Sequence, residues 1–104
     1  MTKLDILVIA AHPDDAELAA GGTIISHVAQ GKKVGVIDLT HGELGTRGTP
    51  ELRMQEATAA AEVMGVSVRE NMGFRDGFFQ DDETHQLALI AKIRQYQPDI
   101  ILAN

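Results

Sequence analysis

Residues 4–11 read Leu4-Asp5-Ile6-Leu7-Val8-Ile9-Ala10-Ala11, and the next six are His12-Pro13-Asp14-Asp15-Ala16-Glu17. The first stretch is a nearly continuous apolar run, rich in β-branched residues and broken only by Asp5. Such a run suits a strand covered on both faces, the habit of parallel sheets. The second stretch places an imidazole, a stiffening proline and two adjacent carboxylates at the end of that strand. Two carboxylates side by side are costly to bury, even partly, unless a cation or hydrogen bonds compensate. A His and an Asp three residues apart in a turn can share one metal ion. The opening expectation is therefore a metal-dependent hydrolytic site.

Outward from this turn, helical spacing runs over 16–30 through Leu18, Ile24, Ile25 and Val28, with Gly31 as the expected C-cap. Gly21-Gly22 inside it costs roughly 1 kcal/mol per residue of helix propensity, which predicts close approach to a strand or a ligand. A second strand is expected over 33–39. A second helix follows over 51–64, capped by Thr49, with Pro50 at its first position and Gly65 as its stop. A weaker strand over 66–72, a helix over 83–96 ended by Pro98, and a fourth apolar strand over 99–103 complete the pattern. Strands alternating with helices define an α/β fold, here a Rossmann-like three-layer sandwich with a mostly parallel sheet and right-handed crossovers. Ligands bind such sheets outside the carboxyl ends of the strands. The loops 12–17, 40–49 and 73–82 are thus predicted to share one functional edge. The fourth strand lacks a following helix to cover it, so residues 1–104 are expected to be the N-terminal part of a single larger domain.

Composition narrows the class. The net charge of −6 argues against a nucleic-acid partner, which would want a basic face. The absence of cysteine removes disulfides and thiolate metal sites. The N-terminal apolar run is too short for a membrane span and lacks the basic start of a signal peptide. A cytoplasmic protein with a small-molecule substrate, no membrane partner and a possible homo-oligomeric state is the default expectation.

Zinc accepts imidazole nitrogen and carboxylate oxygen, and catalytic sites usually take three protein ligands plus water. His12 and Asp15 supply two metal ligands. Asp14 is then free to act as the catalytic general base toward a metal-bound water. Pro13 fixes the backbone between them. Iron(II) or another divalent ion is an acceptable alternative to zinc, because affinity alone does not select.

The segments AHPDDAE, LTHGELGTRGTPELRMQEATAAAEVMG and NMGFRDGFF, in that order, resemble the PIG-L/LmbE-like family of zinc-dependent N-acetylglucosaminide deacetylases. GELGTRGT with the arginine-bearing helix looks closest to the bacillithiol-biosynthesis branch, which acts on N-acetylglucosaminyl malate. The resemblance implies the same roles for His12, Asp14 and Asp15, and makes Arg53 a substrate-binding residue. It also implies a third ligand and an oxyanion-stabilising histidine from a segment beyond the fourth strand. The 104-residue chain alone is accordingly expected to be inactive.

Other residues carry plainer expectations. Arg53 could instead pair with Glu51 or Glu56 on its own helix. His41 is a spare ligand or, more simply, a solvated or pocket-lining histidine. His27 and His85 are expected on helix surfaces, and Glu43 and Arg47 either shape the pocket or pair with each other. Asp38 reads as a strand-end hydrogen-bonding residue, and Phe78 and Phe79 as pocket wall, subunit contact or core. The rival functions are a nucleotide-binding module and a non-catalytic truncated member of the family. An acidic residue such as Asp38 can meet a ribose in dinucleotide folds. The first turn, however, lacks Gly-x-Gly-x-x-Gly and sets carboxylates where a pyrophosphate would need backbone N–H groups.

Overall fold

The computed structural model describes residues 3–13, 15–41, 49–75 and 82–103. Strand β1 (Ile6–Ala10) lies inside the sheet, between β2 (Val34–Thr40) and β4 (Ile100–Ala103), with β3 (Val68–Phe74) beyond β2. All pairings are parallel, and Ile6 is matched with Val34 on one side and Ile100 on the other. Helices α1 (Asp15–Ala29), α2 (Pro50–Met64) and α3 (Glu83–Tyr96) connect the strands. Side-chain alternation on β1 divides the core. Ile6, Val8 and Ala10 pack with Ile24 of α1 and Met64 of α2, whereas Leu7 and Ile9 pack with Tyr96 of α3. The result is the expected α/β/α sandwich. No helix among the described residues is long and apolar enough to cross a membrane.

The predicted caps are present. Thr49 accepts from the Leu52 N–H at 3.1 Å, Pro50 opens α2, and Gly65 closes it at φ 75°. β3 begins two residues later than expected, for a physical reason. Val66 N–H bonds back to the Ala61 carbonyl in the capping motif after α2, and its side chain packs on the core. The chain is released into the sheet only at Ser67, whose N–H donates to the Val34 carbonyl.

The edge opposite the motif is closed by Asp5. Its carboxylate accepts the Lys33 N–H at 2.7 Å, and its carbonyl accepts from Asp99 and Ile100 at 3.1 Å each. The Lys33 N–H, with help from nearby lysines, holds the Asp5 carboxyl below its ordinary value. The one polar residue in the first apolar run thus joins the starts of three strands. On the α3 side, Glu70 of β3 accepts from the Tyr96 hydroxyl and from Lys92 Nζ.

No described atom lies within 4 Å of a Cβ built at Gly21 or Gly22, so packing against the described strands does not account for the pair. The close approach is at Gly35 in β2, where an added Cβ would collide with the fully buried Leu4. β4 stands last in the strand order and is left partly uncovered, in keeping with its lack of a following helix, with Ile100 52% and Ile101 44% exposed.

Gly22→Ala should therefore stabilise the chain by roughly 0.5–1 kcal/mol, read as a higher urea midpoint at unchanged slope. Burial, reinforced by Glu70, pushes the Tyr96 hydroxyl up to about 12. A raised pKa means that this stabilisation is complete below the ordinary value of 10.0 and is lost as pH rises from there through about 12. Tyr96 is the single tyrosine of the sequence. Phenolate absorbance should therefore titrate near 12 in the folded chain, and Tyr96→Phe should remove this part of the alkaline loss of stability.

Candidate active edge

The turn after β1 is built by its own side chains. Asp15 opens α1, and its N–H donates to the His12 carbonyl at 3.2 Å. Its Oδ2 accepts the His12 backbone N–H at 3.1 Å and stands 3.3 Å from His12 Nδ1. Both side chains are partly open to solvent, 41% for His12 and 27% for Asp15. An ion with bonds of about 2.0–2.2 Å and tetrahedral angles needs donor atoms about 3.3–3.5 Å apart. The imidazole nitrogen and carboxylate oxygen therefore fit two corners of such a site, and their chemistry suits zinc. Among the described residues no third His, Cys, Asp or Glu joins them. Asp14 lies outside the described residues, as do Glu43, Arg47, Phe78 and Phe79.

A cleft of about 360 Å³ opens beside this turn, between α1 and the strands β1 and β4. Asp15 and Thr23 give it a polar margin, and Ala16, Ala20, Leu102 and Ala103 line it with apolar surface. From the other side Arg53, in the first turn of α2, donates through Nη2 to the Pro13 carbonyl at 3.2 Å. The structure thus brings His12, Asp15 and Arg53 to one edge. Arg53 reaches the backbone of the motif turn itself, a contact the sequence reading did not anticipate.

The remaining candidates separate. His41 follows β2 at the same edge; its Nε2 lies beside Gly73, and its buried Nδ1 meets no hydrogen-bond partner among the described residues. His27 caps its own helix turn, with Nδ1 2.9 Å from the Thr23 carbonyl oxygen. His85 is not a plain surface residue. Its Nδ1 is 2.6 Å from the capping carboxylate of Asp82, and its ring meets Phe74 edge-on at 4.5 Å. The backbone N–H and ring of His85 hold the Asp82 carboxyl below its ordinary value.

Asp38 is a strand-end hydrogen-bonding residue, as expected. It is 2% exposed and receives a two-pronged grip from Arg69 of β3, at 2.9 and 3.1 Å. A carboxylate committed in this way has no freedom to meet a ribose. Arg69 was not singled out by sequence. The available signal was an aspartate inside the strand-like stretch VIDLT and an arginine, followed by a glutamate, inside VRENM.

A parallel α/β sandwich with a His-x-x-Asp turn at the carboxyl edge of its first strand is a Rossmann-like architecture, and similarity to known proteins gives it a family. Residues 7–104 match the PIG-L family, described as GlcNAc-PI de-N-acetylase. The chain belongs to this family. It is 43% identical over 65 residues to 1D-myo-inositol 2-acetamido-2-deoxy-alpha-D-glucopyranoside deacetylase of Actinosynnema mirum, covering 62% of this chain and 23% of that protein. It is 32% identical over 109 residues to the "Probable N-acetyl-alpha-D-glucosaminyl L-malate deacetylase 2" of Bacillus cereus, covering 93% and 50%. It is also 32% identical over 110 residues to 4-oxalmesaconate hydratase of Pseudomonas putida, covering 94% and 42%. A conserved protein of Thermus thermophilus superposes with a TM-score of 0.89 at 43% identity, over 94% of this chain and 44% of that one. The chain spans half or less of the length of each of these proteins.

The buried pair yields a stability prediction. Arg69→Met strands the Asp38 carboxylate and should cost roughly 3–5 kcal/mol in denaturant unfolding. Adding Asp38→Leu should recover most of that loss, because an apolar pair of similar volume replaces a desolvated ionic one.

Proposed function

We propose that this chain carries the general base and two metal ligands of a metal-dependent N-deacetylase acting on an N-acetylglucosaminide. N-acetylglucosaminyl malate, in bacillithiol biosynthesis, is the foremost candidate substrate. The observation that carries the reading is the 3.3 Å approach of His12 Nδ1 to Asp15 Oδ2 at the carboxyl end of β1, in a chain of the PIG-L family. Zinc, or iron(II) in its place, would be held by His12 and Asp15, with the remaining ligand supplied by residues after β4 in a longer protein. When bound, such an ion supplies Lewis acidity toward a carbonyl oxygen and makes a nucleophilic water available near neutral pH.

The protein's own groups do the rest. Asp14, next to the ligands in sequence, takes the proton of the attacking water and later returns one to the departing amine. Asp15 keeps the His12 backbone in place by accepting the His12 N–H at Oδ2. Arg53, anchored on the Pro13 carbonyl, presents a guanidinium to the substrate beside the motif turn. The match to a hydratase favours a second reading: the same base and ligands would add water across a polarised double bond instead of an amide.

A protein containing this chain together with the residues that follow β4 in its relatives should bind about one zinc and release acetate from N-acetylglucosaminyl malate. Asp14→Ala should retain the metal and lose about 100- to 10,000-fold in turnover. Undiminished turnover in that variant would remove Asp14 from the mechanism. Water addition to an unsaturated acid, with no acetate release, would select the hydratase reading.

A further inference from the structure

We infer that Thr40 and Asn71 are positioning residues that fix the peptide carrying His12, linking the metal-ligand turn to the ends of β2 and β3. The inference rests on the proposed function for its purpose, but its geometry stands by itself. Thr40 is fully buried at the end of β2. Its N–H and its Oγ1–H both donate to the Ala11 carbonyl oxygen, at 3.1 and 3.0 Å. A carbonyl oxygen has two lone pairs, so both bonds can be held at once.

The Ala11 carbonyl and the His12 N–H belong to the same planar peptide unit. Thr40 grips one end of that plane, and Asp15 Oδ2 accepts from the other at 3.1 Å. Clamped at both ends, the plane cannot rotate, and it sets the direction in which the His12 side chain departs. A buried hydroxyl in this place is a costly choice unless it makes such a bond.

Asn71 extends the clamp. Its Nδ2 donates to the Thr40 carbonyl at 2.6 Å, and its Oδ1 accepts the Gly73 N–H at 2.8 Å. Gly73 sits at φ 70°, a conformation that favours glycine. The regular β2–β3 pairing slips between Asp38 and Thr40, so the sheet gives up a ladder position there. One chain of hydrogen bonds thus runs Gly73–Asn71–Thr40–Ala11 and through the peptide to His12 and Asp15. It crosses β3, β2 and β1 at the edge that carries the chemistry. Partners behind metal ligands typically govern affinity by about 10- to 100-fold.

The test uses the 104-residue chain and three variants: Thr40→Val, which keeps the shape and loses the hydroxyl; Thr40→Ser, which restores it; and Asn71→Asp, which loses the donor to Thr40 and keeps the acceptor for Gly73. Amide exchange at His12, followed by NMR without metal, should accelerate about two- to tenfold in Thr40→Val and Asn71→Asp, the worth of one hydrogen bond. Exchange at Val8 and Ile37 in the core should stay unchanged, and Thr40→Ser should return His12 to the parent rate. Unchanged His12 exchange in both disruptive variants, or an equal rise throughout the core, overturns the inference. Should Thr40→Val fail to fold, Asn71→Asp and Thr40→Ser decide the matter alone. Zinc titration of a protein that continues past β4 and carries the same substitutions, read at the His12 ring, should weaken about tenfold or more when the clamp is broken. A longer parent whose His12 ring ignores zinc, while the exchange pattern holds, would instead defeat the metal-dependent function and leave the clamp standing.

Discussion

The constraint on which this structure depends is the position of β1. Strands lie against both of its edges and helices against both of its faces, so it is cut off from water along its length. An apolar strand so placed has no room for polar side chains between its ends, and Ile6 to Ala10 carries none. Polar chemistry is displaced to the two points where the strand leaves the sheet. At one end Asp5 gathers the starts of neighbouring strands, and at the other His12 and Asp15 face outward. A rigid, desolvated strand is also a good mount for metal-ligand candidates, since it leaves the turn little freedom beyond its own torsions.

Charges that do enter the sheet obey the same logic on β2 and β3. Asp38 and Arg69 occupy the α2 side as a two-pronged ion pair beside a hollow of about 80 Å³ behind Pro13. Glu70, one residue on, points to the α3 side. Burial opposes its charge, yet bonds from Tyr96 and Lys92 outweigh that cost and hold its carboxyl below the ordinary value. Alternation along β3 thus sends one charge into each helical layer, and each layer supplies its partner. Buried pairs of this kind add less stability than specificity of register, because a slip of one residue would strand every charge on the wrong face.

Much of this was legible in the sequence. The apolar run before His12, the caps at Thr49, Pro50 and Gly65, and the β-α alternation are local signals, and local rules were enough to place them. What escaped was non-local. That Thr40 and Asn71 hold the motif peptide depends on register across β2 and β3, which no single stretch encodes. Gly21-Gly22 pointed to close approach of a strand or a ligand, but among the described residues the close approach to the sheet is made by Gly35, where Leu4 folds over the strand. The candidate ligands were visible as a motif; their 3.3 Å approach was not, since it depends on how Asp15 closes the turn.

The Asp5 junction has a consequence for how such a protein can diversify. It ties β1 to the segments entering β2 and β4 at the edge remote from His12, without using any residue of the loops that follow the strands. Those loops are therefore released from the duty of holding the sheet in register. Lengthening a loop costs only slowly in closure entropy, so insertions at the carboxyl edge can accumulate while the sheet persists. A lineage built this way can exchange the rim of its binding site wholesale and keep its His-x-x-Asp turn. Similarity of one chain to both an acetamido-sugar deacetylase and 4-oxalmesaconate hydratase is the kind of breadth that a seam at the silent end of the sheet permits.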